Sequence, residues 1–201
     1  MYIPSHFRIE NREEIISFIK AHPLAVFCSN GEKIPFVSHL PFTMEEQNEK
    51  LILISHFAAG NPQSKKVKEN DEVLVIFNGQ DAYISPSLYE KKENVPTWNY
   101  MAVHASGKFH FNHSDEGKEK VLLAMIETFE PAYKKQWDEL SKDYISRMLK
   151  GIVAFEIEVE KLEGKFKLSQ NKTLNEQEKI ATSLGENELA STMKKNIEKK
   201  S

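Results

Sequence analysis

The 201 residues are 40% apolar and 28% charged, enough for one domain or two with a core that needs no staple. Lys and Arg number 27 against 30 Asp and Glu, a net charge of −3, with the stretch from Lys165 onward at +3 and the body before it at −6, which argues against broad nucleic-acid affinity. A single cysteine, Cys28, excludes an internal disulfide and a Cys-rich zinc site, the longest apolar runs are too short for a bilayer, and the first residues carry no basic head before a long apolar stretch, so a cytoplasmic protein is expected.

Asn11 with Glu14 three residues later reads as a capping box, and Ile15, Ile16, Phe18 and Ile19 as the apolar face of the helix it starts. His22-Pro23 ends that helix. Strands are expected over 24–29 and 34–43, joined by a tight Asn30-Gly31 turn, and over 51–56 after a polar link. Pro62 opens a short helix. Strands at 72–78 and 81–85 are broken at Gly79, and 97–111 is a strand with a bulge at Gly107. A helix over 115–129 buries Val121, Leu122, Met125 and Ile126, and a short helix follows near 142–149. Residues 152–160 alternate cleanly between apolar and polar. The tail is helical over 175–195, broken at Gly185. Six to seven strands without βαβ order predict a mainly β fold, an antiparallel barrel with peripheral helices. The expected organisation is a body of 1–164, with a helical insertion at 115–149, and a segment of 165–201 that closes a pocket and ends in a helical tail.

Polar residues cluster at strand ends. The strings are Ser38-His39-Leu40-Pro41-Phe42, then 56–64 from His56 to Ser64, then Val95-Pro96-Thr97-Trp98-Asn99-Tyr100, then Lys167-Leu168-Ser169-Gln170-Asn171. In the second, small residues allow close backbone approach to a ligand. The following turn, with Asn61, Gln63, Ser64, Lys65 and Lys66, suits a phosphate; taken alone, the segment reads first as an ordinary helix cap, with Asn61 capping and Pro62 at the first helical position. Trp98 and Tyr100 share one side of a strand and Asn99 takes the other, as core or as a ligand stack. Cys28 reads as a buried, inert thiol. The histidines are scattered and make no metal set. No nucleophile elbow or Walker-type loop occurs.

In order along the chain, Met1-Tyr2-Ile3-Pro4, His39-Leu40-Pro41, His56-x-Ala58-x-x-Asn61-Pro62-Gln63, Ala82-Tyr83-Ile84-Ser85-Pro86, Val95 to Tyr100 and Lys167 to Asn171 resemble the PaiB-type family of FMN-binding negative transcriptional regulators. The resemblance implies a split β-barrel of the flavin-reductase and pyridoxamine-phosphate-oxidase type, a homodimer, and FMN in a groove between subunits. It implies that Asn61, Gln63 and Ser64 hold the FMN phosphate. His39, Leu40, Pro41, His56 and Ala58 would flank the isoalloxazine. Trp98, Asn99, Lys167, Ser169, Gln170 and Asn171 would close the pocket. Ala59 and Gly60 stand where many members carry Arg or a bulkier residue, which implies a weaker hold on the phosphate. The function so implied is negative regulation of sporulation and degradative-enzyme genes. The acidic body and the lack of a helix-turn-helix pattern make that regulation indirect rather than through DNA. A flavin-dependent oxidoreductase is the alternative, with His56 its first candidate, and haem binding a minor one.

Overall fold

The computed structural model describes residues 1–199. In chain order its elements are β1 (Arg8–Ile9), α1 (Arg12–Ala21), β2 (Leu24–Ser29), β3 (Phe36–Pro41), β4 (Thr43–Gln47), β5 (Lys50–Ala58), β6 (Glu72–Ile84), β7 (Thr97–Asn112), α2 (Asp115–Phe129), α3 (Tyr133–Glu139), α4 (Lys142–Lys150), β8 (Ile152–Lys167), α5 (Leu174–Ser183) and α6 (Glu188–Glu198). The strands form one sheet in the order β3-β2-β6-β7-β8-β5-β4, with β1 on β8. The pairs β1–β8, β2–β3, β2–β6, β4–β5 and β5–β8 are all antiparallel. Among the described residues no helix is long and apolar enough to cross a membrane.

The chain divides into two compact units. One comprises Met1–Ile19, Asn78–Val103 and the chain from Glu163 onward; the other comprises Lys20–Phe77 and His104–Leu162. The long strands β6, β7 and β8 run through both. The second unit is built on Phe27, Phe57, Phe109 and Phe155, all fully buried. Their rings meet at 4.6 Å for Phe57–Phe155, 4.9 Å for Phe109–Phe155 and 5.4 Å for Phe27–Phe57. These tilted and edge-on contacts are the geometry aromatic quadrupoles favour. On the opposite side of β5, Ile52 and Ile54 join Val121 and Met125 of α2 and Ala154 of β8 in a second buried cluster. In the first unit Phe18 of α1 packs on Phe166 at 5.0 Å, and Leu168, Ile180 and Met193 are also buried.

Several elements fall where the sequence puts them. Asn11 accepts the Glu14 N–H at 3.1 Å and starts α1. Ser114 caps α2 through the Gly117 N–H. Of the expected α2 face, Val121 and Met125 are buried while Leu122 and Ile126 are only half-buried. Gly185 separates α5 from α6 at φ +72°, a left-handed backbone that costs glycine nothing.

Other elements differ. The polar link after Phe42 is a strand, β4. It bonds only to β5, so it is an edge that tolerates charge. Asn48 and Glu49, at φ 50° and 67°, close it onto β5 as a two-residue hairpin with both central residues left-handed. Asn30-Gly31 is not a tight turn: Ser29 pairs with Phe36, so residues 30–35 form a longer loop. β6 is continuous across Gly79, where a Cβ would sit 2.8 Å from the Phe18 ring. Its buried positions change there from Val73, Val75 and Phe77 to Ile84. That slip in parity is what makes one strand read as two. β8 continues past Glu160 to Lys167, because its last residues turn to pair with β1. The helix α3, which buries Trp137, carries no periodic signal long enough to be read.

Gly107 lies within β7 where a Cβ would come 1.9 Å from the carbonyl oxygen of Glu158. The backbones approach so closely that only hydrogen fits. Gly107→Ala is expected to cost about 3 kcal/mol, the upper range for overpacking. A melting temperature within about a degree of the parent would show that β7 relaxes there freely.

Candidate functional site

Eight of the fourteen candidate residues lie in the unit of Lys20–Phe77 and His104–Leu162. The ladder of β2 and β3 sets the first three opposite Val26, Ala25 and Leu24. His39 is exposed, Leu40 buried and Pro41 half-buried. The Pro41 carbonyl accepts from the Ser55 hydroxyl at 2.7 Å, which holds the end of β3 to β5.

The segment after β5 is a knot of hydrogen bonds. Asn61 caps a 3-10 turn, Pro62–Lys65, by accepting the Gln63 N–H at 2.9 Å. The Gln63 side chain, 2% exposed, donates to Ser29 Oγ at 2.9 Å and to the Phe36 carbonyl at 3.1 Å. Its Oε1 accepts from the Ser38 hydroxyl at 2.6 Å. Asn61 Nδ2 donates to Ser38 Oγ at 3.0 Å, and the Ser64 hydroxyl donates back to the Asn61 carbonyl at 2.8 Å. Asn61, Gln63 and Ser64 are therefore brought together as expected, but much of their polarity is turned inward onto β2 and β3. Ser29, an unremarked strand residue in the sequence, is a partner in this knot. On the outside of the turn Lys66 pairs with Glu32 at 3.3 Å, and Lys65 is exposed with no partner among the described residues. Ala58 is exposed, and at Gly60 nothing lies within 4 Å of where a Cβ would stand.

His56 is on the same side of β5 as Ile52 and Ile54, directly opposite Ala154 of β8. It is the polar end of the apolar face that α2 covers. Its Nδ1 is buried and has no hydrogen-bond partner. Burial pushes its pKa down, because a charged imidazole there would lose its hydration. Thr43 Oγ1, opposite Ile54 on β4, is likewise buried and unpartnered. Cys28 is half-buried rather than fully buried, and the same desolvation pushes its thiol pKa up.

The other six candidates lie in the unit of Met1–Ile19, Asn78–Val103 and the chain from Glu163. Along β7 Trp98 is 54% exposed and Asn99 fully buried, the alternation expected of a strand. The exposed Trp98 ring meets Tyr83 edge-on at 5.8 Å. Asn99 and Ser169 exchange hydrogen bonds, Nδ2 to Oγ at 3.0 Å and Oγ to Oδ1 at 3.1 Å. That exchange holds Ser169 at φ +61°, a left-handed conformation that a non-glycine residue keeps only when its surroundings fix it. Gln170 folds back on its own turn, accepting the Leu168 N–H at 2.7 Å and donating to the Phe166 carbonyl. Lys167 donates to Thr97 Oγ1 at 2.7 Å and to the Trp98 carbonyl. Burial first, then the nearby charges of Lys165 and Lys172, push its pKa down. Asn171 is exposed. Asn99, Ser169 and Gln170 thus build the turn, and Trp98, Lys167 and Asn171 are what it presents. Among the described residues no three His, Cys, Asp or Glu side chains stand together as a metal set.

The family described as "Putative FMN-binding domain" matches residues 1–161. A Bacillus subtilis (strain 168) protein, "Protease synthase and sporulation protein PAI 2", is 40% identical over 174 residues, 86% of this chain and 83% of that one. An uncharacterized Emericella nidulans protein is 31% identical over 169 residues, 68% of this chain and 67% of its own. Among solved structures, the flavocytochrome Anf3 from Azotobacter vinelandii superposes with a TM-score of 0.64 at 14% identity, over 82% of this chain and 72% of that one. The FAD and heme binding protein from Mycobacterium smegmatis gives 0.64 at 16% identity, over 89% and 80%. At such identities the two structures speak for the fold, a flavin-protein split β-barrel with flanking helices. The chain belongs to the FMN-binding split-barrel family that includes the Bacillus PAI 2 protein, and its cofactor is FMN.

Proposed function

We propose that this protein is an FMN-bound negative regulator of sporulation and degradative-enzyme genes. It works as a cytoplasmic homodimer and does not itself grip DNA. The observation that carries the reading is the 40% identity, over 86% of the chain, to a relative whose name couples protease synthesis with sporulation. The net charge of −6 before Lys165 supports an indirect action, since duplex affinity follows the number of phosphates neutralised.

Bound FMN supplies a redox-active ring and a phosphate dianion. The residues present fit it, and His56 is the sign: its unpartnered Nδ1 is a polar group that the apolar face alone does not account for. In this reading His39, Leu40, Pro41, His56 and Ala58 flank the flavin ring. The braced 61–64 turn, with Lys65 and Lys66 on its outer side, holds the phosphate. Trp98, Lys167 and Asn171, presented by the turn that Asn99, Ser169 and Gln170 brace, close the pocket of the other subunit. A flavin-dependent oxidoreductase is the second reading. It is favoured by the same His56, which burial keeps neutral and able to accept a proton.

Deleting the gene is expected to raise transcription of extracellular protease genes. The purified protein should run in light scattering at twice its 23.2 kDa chain mass and leave duplex DNA unshifted at physiological salt. A tight, salt-sensitive shift would make the regulation direct. Asn61→Ala removes the cap and one brace of the knot. By loosening the turn it is expected to weaken FMN by about 0.5–1.5 kcal/mol, the worth of one neutral hydrogen bond, in a flavin fluorescence titration. An unchanged Kd would put the phosphate elsewhere. The third expectation concerns pH. Because the folded His56 has a lowered pKa, the unfolded chain takes up the proton first. Stability from this group is then level above about pH 6.5 and falls as pH drops below it. Urea midpoints at about pH 7.5 and 5.5 should differ less in His56→Gln than in the parent, and equal differences would remove His56 as the source.

A further inference from the structure

We propose that the Lys165–Lys167 edge of β8 is an oxyanion site rimmed by aromatic rings, which takes the phosphate or carboxylate of a flat, unsaturated acid. Lys165 is only 9% exposed. Its Nζ lies 5.1 Å from the Tyr100 ring centre and 5.9 Å from that of Tyr2. Those ring faces are its only polar company: among the described residues it makes no hydrogen bond and no carboxylate pairs with it. Lys167 projects from the same side of the strand. It has the neutral acceptors Thr97 Oγ1 and Trp98 O, and the Phe7 ring 5.7 Å away. Two ammonium groups therefore stand together in partly dry surroundings.

Among the described residues no carboxylate of this unit pairs with Lys165 or Lys167. Glu163 takes the Met1 ammonium at 3.0 Å. Glu176 takes the Glu90 and Thr173 N–H groups at 2.9 and 3.2 Å. Asp81 lines the groove with Trp98 and Tyr100 and pairs with neither lysine. Ring quadrupoles offset part of the cost of burying a cation, but a buried charge is ordinarily met by an opposite one. Burial first, then the charges of Lys165 and Lys172, depress the pKa of Lys167.

The rim says what else the anion carries. Tyr2, Tyr83 and Trp98 are 83%, 53% and 54% exposed. Flat rings left open beside a cation pair suit an unsaturated ligand that stacks while its acid group reaches the lysines. That acid group can be the flavin's own phosphate or belong to a separate aromatic acid. The proposal does not rest on where FMN sits, because inorganic phosphate alone tests it.

The experiment is calorimetric titration of the full-length protein at low ionic strength with inorganic phosphate, FMN and riboflavin. Lys165→Met keeps the apolar stem and loses the charge, and Lys165→Arg keeps the charge. Phosphate should bind the parent, Lys165→Arg within a few-fold, and Lys165→Met at least about tenfold more weakly, as expected for one lost charge-assisted contact. If Lys165→Met also weakens FMN tenfold while riboflavin is unchanged, the anion is the flavin phosphate. If FMN is unchanged while phosphate binding is lost, the site takes a separate acid. Should Lys165→Met fail to fold, Lys167→Met gives the same readout. No phosphate binding by the parent, or equal binding by the parent and the Met variant, overturns the proposal.

Discussion

A buried amide has four hydrogen-bonding places and no water to fill them, and two such groups organise this chain. Gln63 in one unit and Asn99 in the other are 2% and 0% exposed. Leaving either unpaired would cost about 1–3 kcal/mol per group, so each fixes the conformation of what surrounds it. Gln63 reaches Ser29, Phe36 and Ser38, and the 3-10 turn must lie flat on β2 and β3 to allow this. Asn99 reaches Ser169 and the Met193 sulfur, and the chain after β8 must turn through a left-handed residue to allow that. The polar strings are held in place by their own polarity: part of each string braces the rest.

The face of β5 that runs from Ile52 to His56 passes from apolar to polar within three residues. Ile52 and Ile54 are covered by Val121 and Met125. His56 is next on that face, and its Nδ1 is still out of reach of water. Filling the place with an aliphatic residue would complete the cluster and gain roughly 1.5–3 kcal/mol from burial. The chain keeps an imidazole there. The same burial pushes the pKa of that imidazole down, so the face that α2 covers ends on a ring whose charged form is disfavoured.

Local pattern made much of this legible. The β2 strand follows from its apolar run, and α2 from the spacing of Val121, Leu122, Met125 and Ile126. What failed were features set by tertiary partners. β4 is too polar to read as a strand because it is an edge, and β6 reads as two because its parity slips at Gly79. Residues 161–167 lose their alternation where β8 meets β1. Of the polar strings, Ser38, Asn61 and Gln63 do come together. Their orientation is not in the strings. A sequence says that Gln63 has two donors, but only the position of Ser29 and the Phe36 carbonyl says that both point inward. Lys165 carried no signal, since a lysine in a polar stretch reads as solvent-facing until the rings of Tyr2 and Tyr100 are placed over it.

Charge balance in the unit built on the two chain ends explains why the segment after β8 is a working part of it. Lys172 donates to Asn94 at 2.6 Å and lies 4.1 Å from the Tyr89 ring centre. The carboxylate of Glu176 closes the capping box of α5 with Thr173. It also accepts the Glu90 N–H, and that bond does most to hold its pKa down. Asn175 donates to the Glu90 carboxylate. The loop of residues 86–96 has little apolar surface of its own to bury, so these bonds are what order it. A group with a lowered carboxylate pKa stabilises the fold above its ordinary titration range and ceases to do so as pH falls through the lowered value. Residues 86–96 are therefore tied to α5 most firmly where Glu176 is ionised, and the loop that leads into Trp98 takes its order from a carboxylate more than seventy residues away in the chain.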